Sequence, residues 1–128
     1  MRLFFILNFS FASLFWAFAA PAQTPASTYT QAQAQAGATL YTQNCAMCHG
    51  DAIAGHTLVQ PGTSPAIGGI FSIMTTSMPL NQPGSLTPQQ YEDIMAYALK
   101  NNGYPAGTKA LEAKQTLTDS RPFVNKPQ

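Results

Sequence analysis

Two stretches of the chain carry helix signals, and one of them a clear rhythm of apolar positions. The clearest begins at Thr87-Pro88-Gln89-Gln90, where Thr87 suits an N-cap, Pro88 the first helical position and Gln90 the far side of a capping box. Leu86 and Tyr91 hold the staple positions across that start. Tyr91, Ile94, Met95 and Ala98 then recur at i, i+3, i+4 and i+7, the spacing of a buried helix face. Lys100 falls in the expected last turn, and Asn101-Asn102-Gly103 before Tyr104-Pro105 ends the helix.

An earlier helix is expected from Thr30, whose spacing to Gln33 is again that of a capping box, through Ala34, Ala36, Leu40 and Tyr41 towards Cys45. Its alternating Gln-Ala run has good helix propensity and little amphipathicity. Between the two helices, residues 51–65 hold Gly55, Pro61, Gly62 and Pro65 and read as loop. Ile70 to Ser77 fits a short helical piece, and Met78-Pro79 with Pro83-Gly84 makes 78–85 extended or turning. Beyond Ala106 the pattern is polar and weakly periodic, so 108–128 is expected to be a C-terminal tail to a domain spanning 30–107.

A different pattern opens the chain. Arg2 precedes an apolar run from Leu3 to Ala20, and Ala17-Phe18-Ala19 and Ala20-Pro21-Ala22 at its end both fit a small-residue cleavage pattern. Residues 1–22 therefore read as a secretory signal peptide, and 23–29 as a flexible leader. Export to the periplasm is the expected outcome, and membrane contact is expected only if that segment stays uncleaved.

At 128 residues the chain is one domain. Six Lys and Arg stand against five Asp and Glu, and Arg2 belongs to the apolar leader, so the remainder is balanced. That balance argues against nucleic-acid binding. Asp51, Glu92 and Asp93 read as solvated surface acids, which leaves no evident general base or nucleophile constellation.

The chemistry lies in Cys45-Ala46-Met47-Cys48-His49, a C-x-x-C-H motif of the kind that attaches c-type haem. On a helix, positions 45, 48 and 49 share a face. Two thiols can then form thioethers with the two vinyl groups of one haem while the His49 imidazole faces the iron. The same residues allow two other readings, a thiol oxidoreductase using the only two cysteines and a zinc site completed by His56. The first lacks a βαβ context, and the second would crowd every ligand into a dozen residues.

Iron held by His49 has a second axial position, and methionine there raises the reduction potential. Met1 lies in the leader, Met47 between the cysteines and Met95 on a core face, which leaves Met74 and Met78. Met78 is the preferred ligand. Pro79 biases it to an extended backbone, and it stands far enough beyond His49 for the chain to cross from one haem face to the other. His56 is expected on the proximal side or in solvent.

With both ends of this site in view, the chain resembles a class I cytochrome c, specifically the small exported bacterial mono-haem cytochromes. The resemblance rests on Gly37 to Tyr41, Cys45 to Gly50, Pro65-Ala66-Ile67, Met78-Pro79 and the stretch from Pro83 through Tyr97 to Gly107. It implies an all-α cytochrome c fold with long loops, the first and last helices crossing around one covalently attached haem c. It implies that Gly37, Tyr41 and Tyr97 lie at that crossing and that the Pro65 carbonyl accepts the Nδ1–H of His49.

The implied function is one-electron transfer between redox proteins, such as a dehydrogenase, an oxidase or another cytochrome, without catalysis at the iron. One departure points elsewhere. Relatives usually carry a further helix before the distal methionine, and only Ile70 to Ser77 stand here, so a thin or missing pocket wall is expected. Such a wall keeps a second function in play, a haem protein with an open distal site acting on peroxide or binding a gas.

Overall fold

The computed structural model describes residues 29–50 and 63–123. They form five helices, α1 (Gln31–Asn44), α2 (Ala46–His49), α3 (Ile67–Ser77), α4 (Pro88–Asn101) and α5 (Ala113–Thr116). Among the described residues the only β-type pairings are isolated bridges, Thr30 with Gly107 and Ala66 with Pro122. The fold is all-α, and no described helix is long and apolar enough to cross a membrane. His56 and the leader segment 1–28 lie outside the described residues.

Both expected capping boxes form. Thr30 accepts the Gln33 N–H, and the Gln33 side chain accepts the Thr30 N–H, each at 3.2 Å. Thr87 and Gln90 repeat the arrangement at the start of α4.

The packing of α1 against α4 makes the centre of the fold. Ala34, Gly37 and Tyr41 are the buried side of α1, and they meet Tyr91, Ile94, Met95, Ala98 and Leu99 of α4. At Gly37 the helix backbones come so close that a methyl group there would overlap the Asp93 carbonyl oxygen. Only a residue without Cβ permits this approach. Tyr41 and Tyr97 fill the space beside it, with ring centroids 5.4 Å apart. The same contact explains a departure from the sequence reading. Asp93 is buried rather than solvated, and its carboxylate accepts a hydrogen bond from Gln89 Nε2 at 2.8 Å.

Three segments differ from expectation for a common reason, pairing between residues far apart in the chain. Tyr29, assigned to the flexible leader, is a core residue. Its hydroxyl donates to the Tyr104 carbonyl at 2.6 Å, and its own carbonyl accepts the Gly107 N–H at 2.8 Å. Gln33 is the one buried glutamine of the Gln-Ala run. Its Nε2 donates to the Leu111 carbonyl and its Oε1 accepts the Leu111 N–H, so one amide pairs with one backbone unit.

The segment from 108 onward, expected as a tail, is packed through residue 123. Leu111, Thr116 and Phe123 are buried, and Phe123 stacks on Tyr104. Glu92 accepts the Ala113 N–H at 2.6 Å at the start of α5.

This downstream segment also explains why α3 begins at Ile67 and not at Ile70. Its N-terminal residue Ala66 offers no side-chain cap, and Gly68-Gly69 is a poor helix start. The orphan N–H groups of Ile67 and Gly68 instead donate to the carbonyls of Arg121 and Asp119, each at 2.9 Å. The pocket wall expected to be thin or missing is therefore an eleven-residue helix.

Candidate functional site

The C-x-x-C-H motif sits where α1 gives way to α2. The Cys45 N–H closes the last turn of α1 on the Tyr41 carbonyl at 2.8 Å. The Cys45 carbonyl then accepts from Cys48 and His49 at 3.1 and 3.0 Å, so the motif winds as one helical turn. The Tyr41 hydroxyl donates to the Gly50 carbonyl at 2.9 Å and ties the end of that turn back to α1.

Cys45, Cys48 and His49 thereby line one cavity of about 540 Å³. Its floor comes from Ile94, Met95 and Ala98 of α4, and its far wall from Ile70, Ile73 and Met74 of α3 with Met78 and Pro79 beyond. The cavity gathers four of the five residues singled out from the sequence, namely Cys45, Cys48, His49 and Met78.

Pro65, the fifth, is not among the lining residues. Its carbonyl accepts the Phe123 N–H at 2.8 Å, and among the described residues no hydrogen bond joins it to His49. Met74, the other methionine left open by the sequence, lines the cavity too, and Met95 is fully buried in its floor.

The backbone of Met78 is extended, at φ −119° and ψ 152°, as the following proline requires. It is held from both sides. The Met78 N–H donates to Met74 at 3.3 Å, and its carbonyl accepts from the Gly84 N–H at 3.2 Å and the Tyr91 hydroxyl at 2.6 Å. The role of Tyr91 escaped the sequence reading, which placed it on a buried face and in a staple. The available signal was its phenol, since a buried tyrosine hydroxyl needs a partner.

The donor chemistry suits haem c. Both sulfurs are free thiols, Cys45 half-buried and Cys48 exposed. Burial, and then the neighbouring Cys48, push the Cys45 thiol above its ordinary pKa. Among the described residues no cluster of three or more His, Cys, Asp or Glu could hold a bare metal ion. An apolar chamber lined by two thiols, an imidazole and the thioethers of Met74 and Met78 fits a planar apolar macrocycle with a ligated iron.

Comparison with known proteins agrees. A sulfane dehydrogenase, SoxCD from Paracoccus pantotrophus, contains a chain of similar fold, with a TM-score of 0.50 and 24% identity over 68% of this chain. The present chain spans about half of that one, 52% of its length. No curated protein sequence matches. Residues 32–97, just over half of the chain, match the family model described as cytochrome c oxidase, cbb3-type, subunit III. Since that stretch runs from α1 through the C-x-x-C-H motif, Met74 and Met78 into α4, the chain belongs to this family of class I c-type cytochromes, with haem c as its covalent cofactor.

Proposed function

We propose that this protein is a one-electron carrier in which Cys45 and Cys48 hold haem c by thioethers while His49 and Met78 occupy the two axial positions of its iron. Haem-based electron transfer is the function of its domain. The finer assignment is carried by one observation, the convergence of those four side chains on a single apolar cavity.

When bound, the haem supplies an iron that gains and loses a single electron. The chain's own residues set the conditions for that. The Tyr41 to Gly50 hydrogen bond fixes the turn that presents His49, and Tyr91 fixes the backbone that presents Met78. Ile70, Met74, Ile94, Met95 and Ala98 give the chamber an apolar lining, which with methionine ligation would favour a raised potential. With His49 and Met78 as its ligands the iron would offer no place for a substrate, which supports a carrier over an enzyme. Its partners are redox proteins of the dehydrogenase, oxidase or cytochrome kind. Residues 1–22 direct it out of the cytoplasm, to the periplasm.

The test is spectroscopic. Protein made in a cell able to mature cytochromes should keep its haem through acid-solvent extraction. The ferric form should show a sulfur-to-iron charge-transfer band that Met78→Ala abolishes and Met74→Ala retains. A five-coordinate ferric spectrum in the unmutated protein refutes the ligand assignment. A colourless protein with two titratable thiols refutes the whole reading.

A further inference from the structure

The start of α3 is clasped by the backbone of one short segment near the end of the chain. Ile67 and Gly68 donate their N–H groups to the carbonyls of Arg121 and Asp119, and the Pro65 carbonyl accepts the Phe123 N–H at 2.8 Å. Ala66 bridges Pro122 between them. Gly68 lies so close to the end of α5 that a methyl there would stand 2.5 Å from the Leu117 carbonyl oxygen. No side chain caps α3. The partners in these contacts all come from residues after 97, outside the stretch matched to the family.

One side chain keeps the two accepting carbonyls in place. The Asp119 carboxylate accepts the Arg121 N–H at 3.0 Å and the Arg121 Nε–H at 2.9 Å. An aspartate that bonds the backbone two residues on closes a turn. That turn aims the carbonyls of 119 and 121 at neighbouring N–H groups of one helix. Asp119 does not line the cavity, so whatever it does there it does through α3.

α3 carries the seating of its first turn to the ligand side. It runs eleven residues, and Met78 follows as its C-cap, with its N–H on the Met74 carbonyl. At about 1.5 Å per residue the helix spans about 16 Å, so a tilt of about 5° at its start moves the far end by about 1.4 Å. Tyr91 and Gly84 tie the Met78 carbonyl at that far end. The clasp sets the axis on which Met74 and Met78 stand.

We propose that Asp119 is a positioning residue for the distal ligand: its turn seats α3 and thereby sets how firmly Met78 holds the iron. This rests on the reading of Met78 as axial ligand, and it adds a control on that ligand from outside the chamber.

The test uses the haem-loaded full chain and two measurements. Amide hydrogen exchange at Ile67 and Gly68 reports the clasp. The rate at which the ferric protein takes up imidazole reports release of Met78, because imidazole binds the iron only after the sulfur has left. Asp119→Ala removes the acceptor of the turn and should speed both by about tenfold, the factor for losing one hydrogen bond to a charged group. Asp119→Asn keeps an oxygen for the Arg121 N–H and should return both to within about threefold of the parent. Gly68→Ala disturbs the same junction from the α3 side and should repeat the Asp119→Ala result. Thr30→Ala lowers overall stability by removing the cap of α1 and should leave imidazole uptake unchanged.

Faster amide exchange with unchanged imidazole uptake in Asp119→Ala overturns the proposal, because the clasp then loosens without reaching Met78. So does an equal acceleration in Thr30→Ala, which makes the effect one of overall stability, and so does an Asp119→Asn variant as fast as Asp119→Ala. If Asp119→Ala does not fold, Gly68→Ala decides alone, and unchanged uptake in it overturns the proposal. In each of these cases the carrier reading stands on the parent's own spectrum. A five-coordinate ferric parent removes Met78 as ligand, and this proposal with it.

Discussion

Replacing Gly37 by alanine sets two effects of opposite sign against each other. In a helix interior alanine is favoured over glycine by about 1 kcal/mol, so propensity alone calls for stabilisation. The added methyl group would, however, overlap the Asp93 carbonyl oxygen and lie 3.0 Å from the Ile94 nitrogen. Both obstacles are backbone, so no rotamer change relieves the clash and the helices must part. Overpacking of this sort costs about 1–3 kcal/mol. Parting also loosens the buried contacts of Ala34, Tyr41, Ile94 and Tyr97 at the same crossing, which places the loss at or above the top of that range.

After subtracting the propensity gain, a net loss of about 2 kcal/mol remains, and Tm should fall by about 8–16 °C. A domain of this size retains a folded state after such a loss. Equilibrium denaturation of the haem-loaded protein measures it, with Gly69→Ala as the control. Gly69 lies in α3 with open space where a methyl would stand, so that variant should gain up to about 1 kcal/mol. Gly68→Ala should fall on the losing side, because its methyl would sit 2.5 Å from the Leu117 carbonyl oxygen. If Gly37→Ala is as stable as the parent, or Gly69→Ala as damaging as Gly37→Ala, the close-approach argument is wrong.

Other perturbations test the remaining contacts. Tyr91→Phe removes the 2.6 Å hydrogen bond to the Met78 carbonyl and should cost about 1 kcal/mol. The charge-transfer band should weaken in the same variant, and an unaltered band would show that Tyr91 does not help hold the ligand. Gln33→Ala leaves the buried amide of Leu111 without its N–H acceptor and C=O donor. It should lower stability by about 2–4 kcal/mol and speed proteolysis after residue 106, with protection unchanged in a Gln31→Ala control. The hydrogen bond and charge of Arg121 hold the Asp119 carboxyl below its ordinary pKa against the opposing effect of burial. A pKa depressed on folding means stability that is present above the unfolded value and lost as pH falls through the folded one. Acid unfolding from about pH 5 downward should therefore be shallower in Asp119→Asn, and a parallel curve would deny the pair a role.

Local signals were sufficient for the two long helices. The capping boxes at Thr30 and Thr87 and the buried face from Tyr91 to Ala98 depend on neighbours within a turn or two, and the structure forms them as read. Cys45, Cys48, His49 and Met78 were picked out from a dense motif and a Met-Pro pair, and the structure brings all four to one cavity, with Met74 beside them.

What stayed hidden depends on pairing across the chain. The start of α3 is capped by carbonyls of Asp119 and Arg121, which no window around Ile67 contains. Gln33 reads as one more polar residue until Leu111 is placed against it, and Asp93 as a surface acid until the bare backbone of Gly37 is laid over it. The segment after residue 107 is polar because it covers the core with a few anchors, Leu111, Thr116 and Phe123, at no regular spacing.

The backbone caps on α3 also impose an order of events during biosynthesis. The attachment cysteines leave the ribosome and any export channel well before the carbonyls of residues 119 and 121 that complete the opposite wall. Until those arrive, the first N–H groups of α3 lack their two backbone acceptors. A segment far downstream in the sequence thus shares the work of starting the helix that lines the cavity.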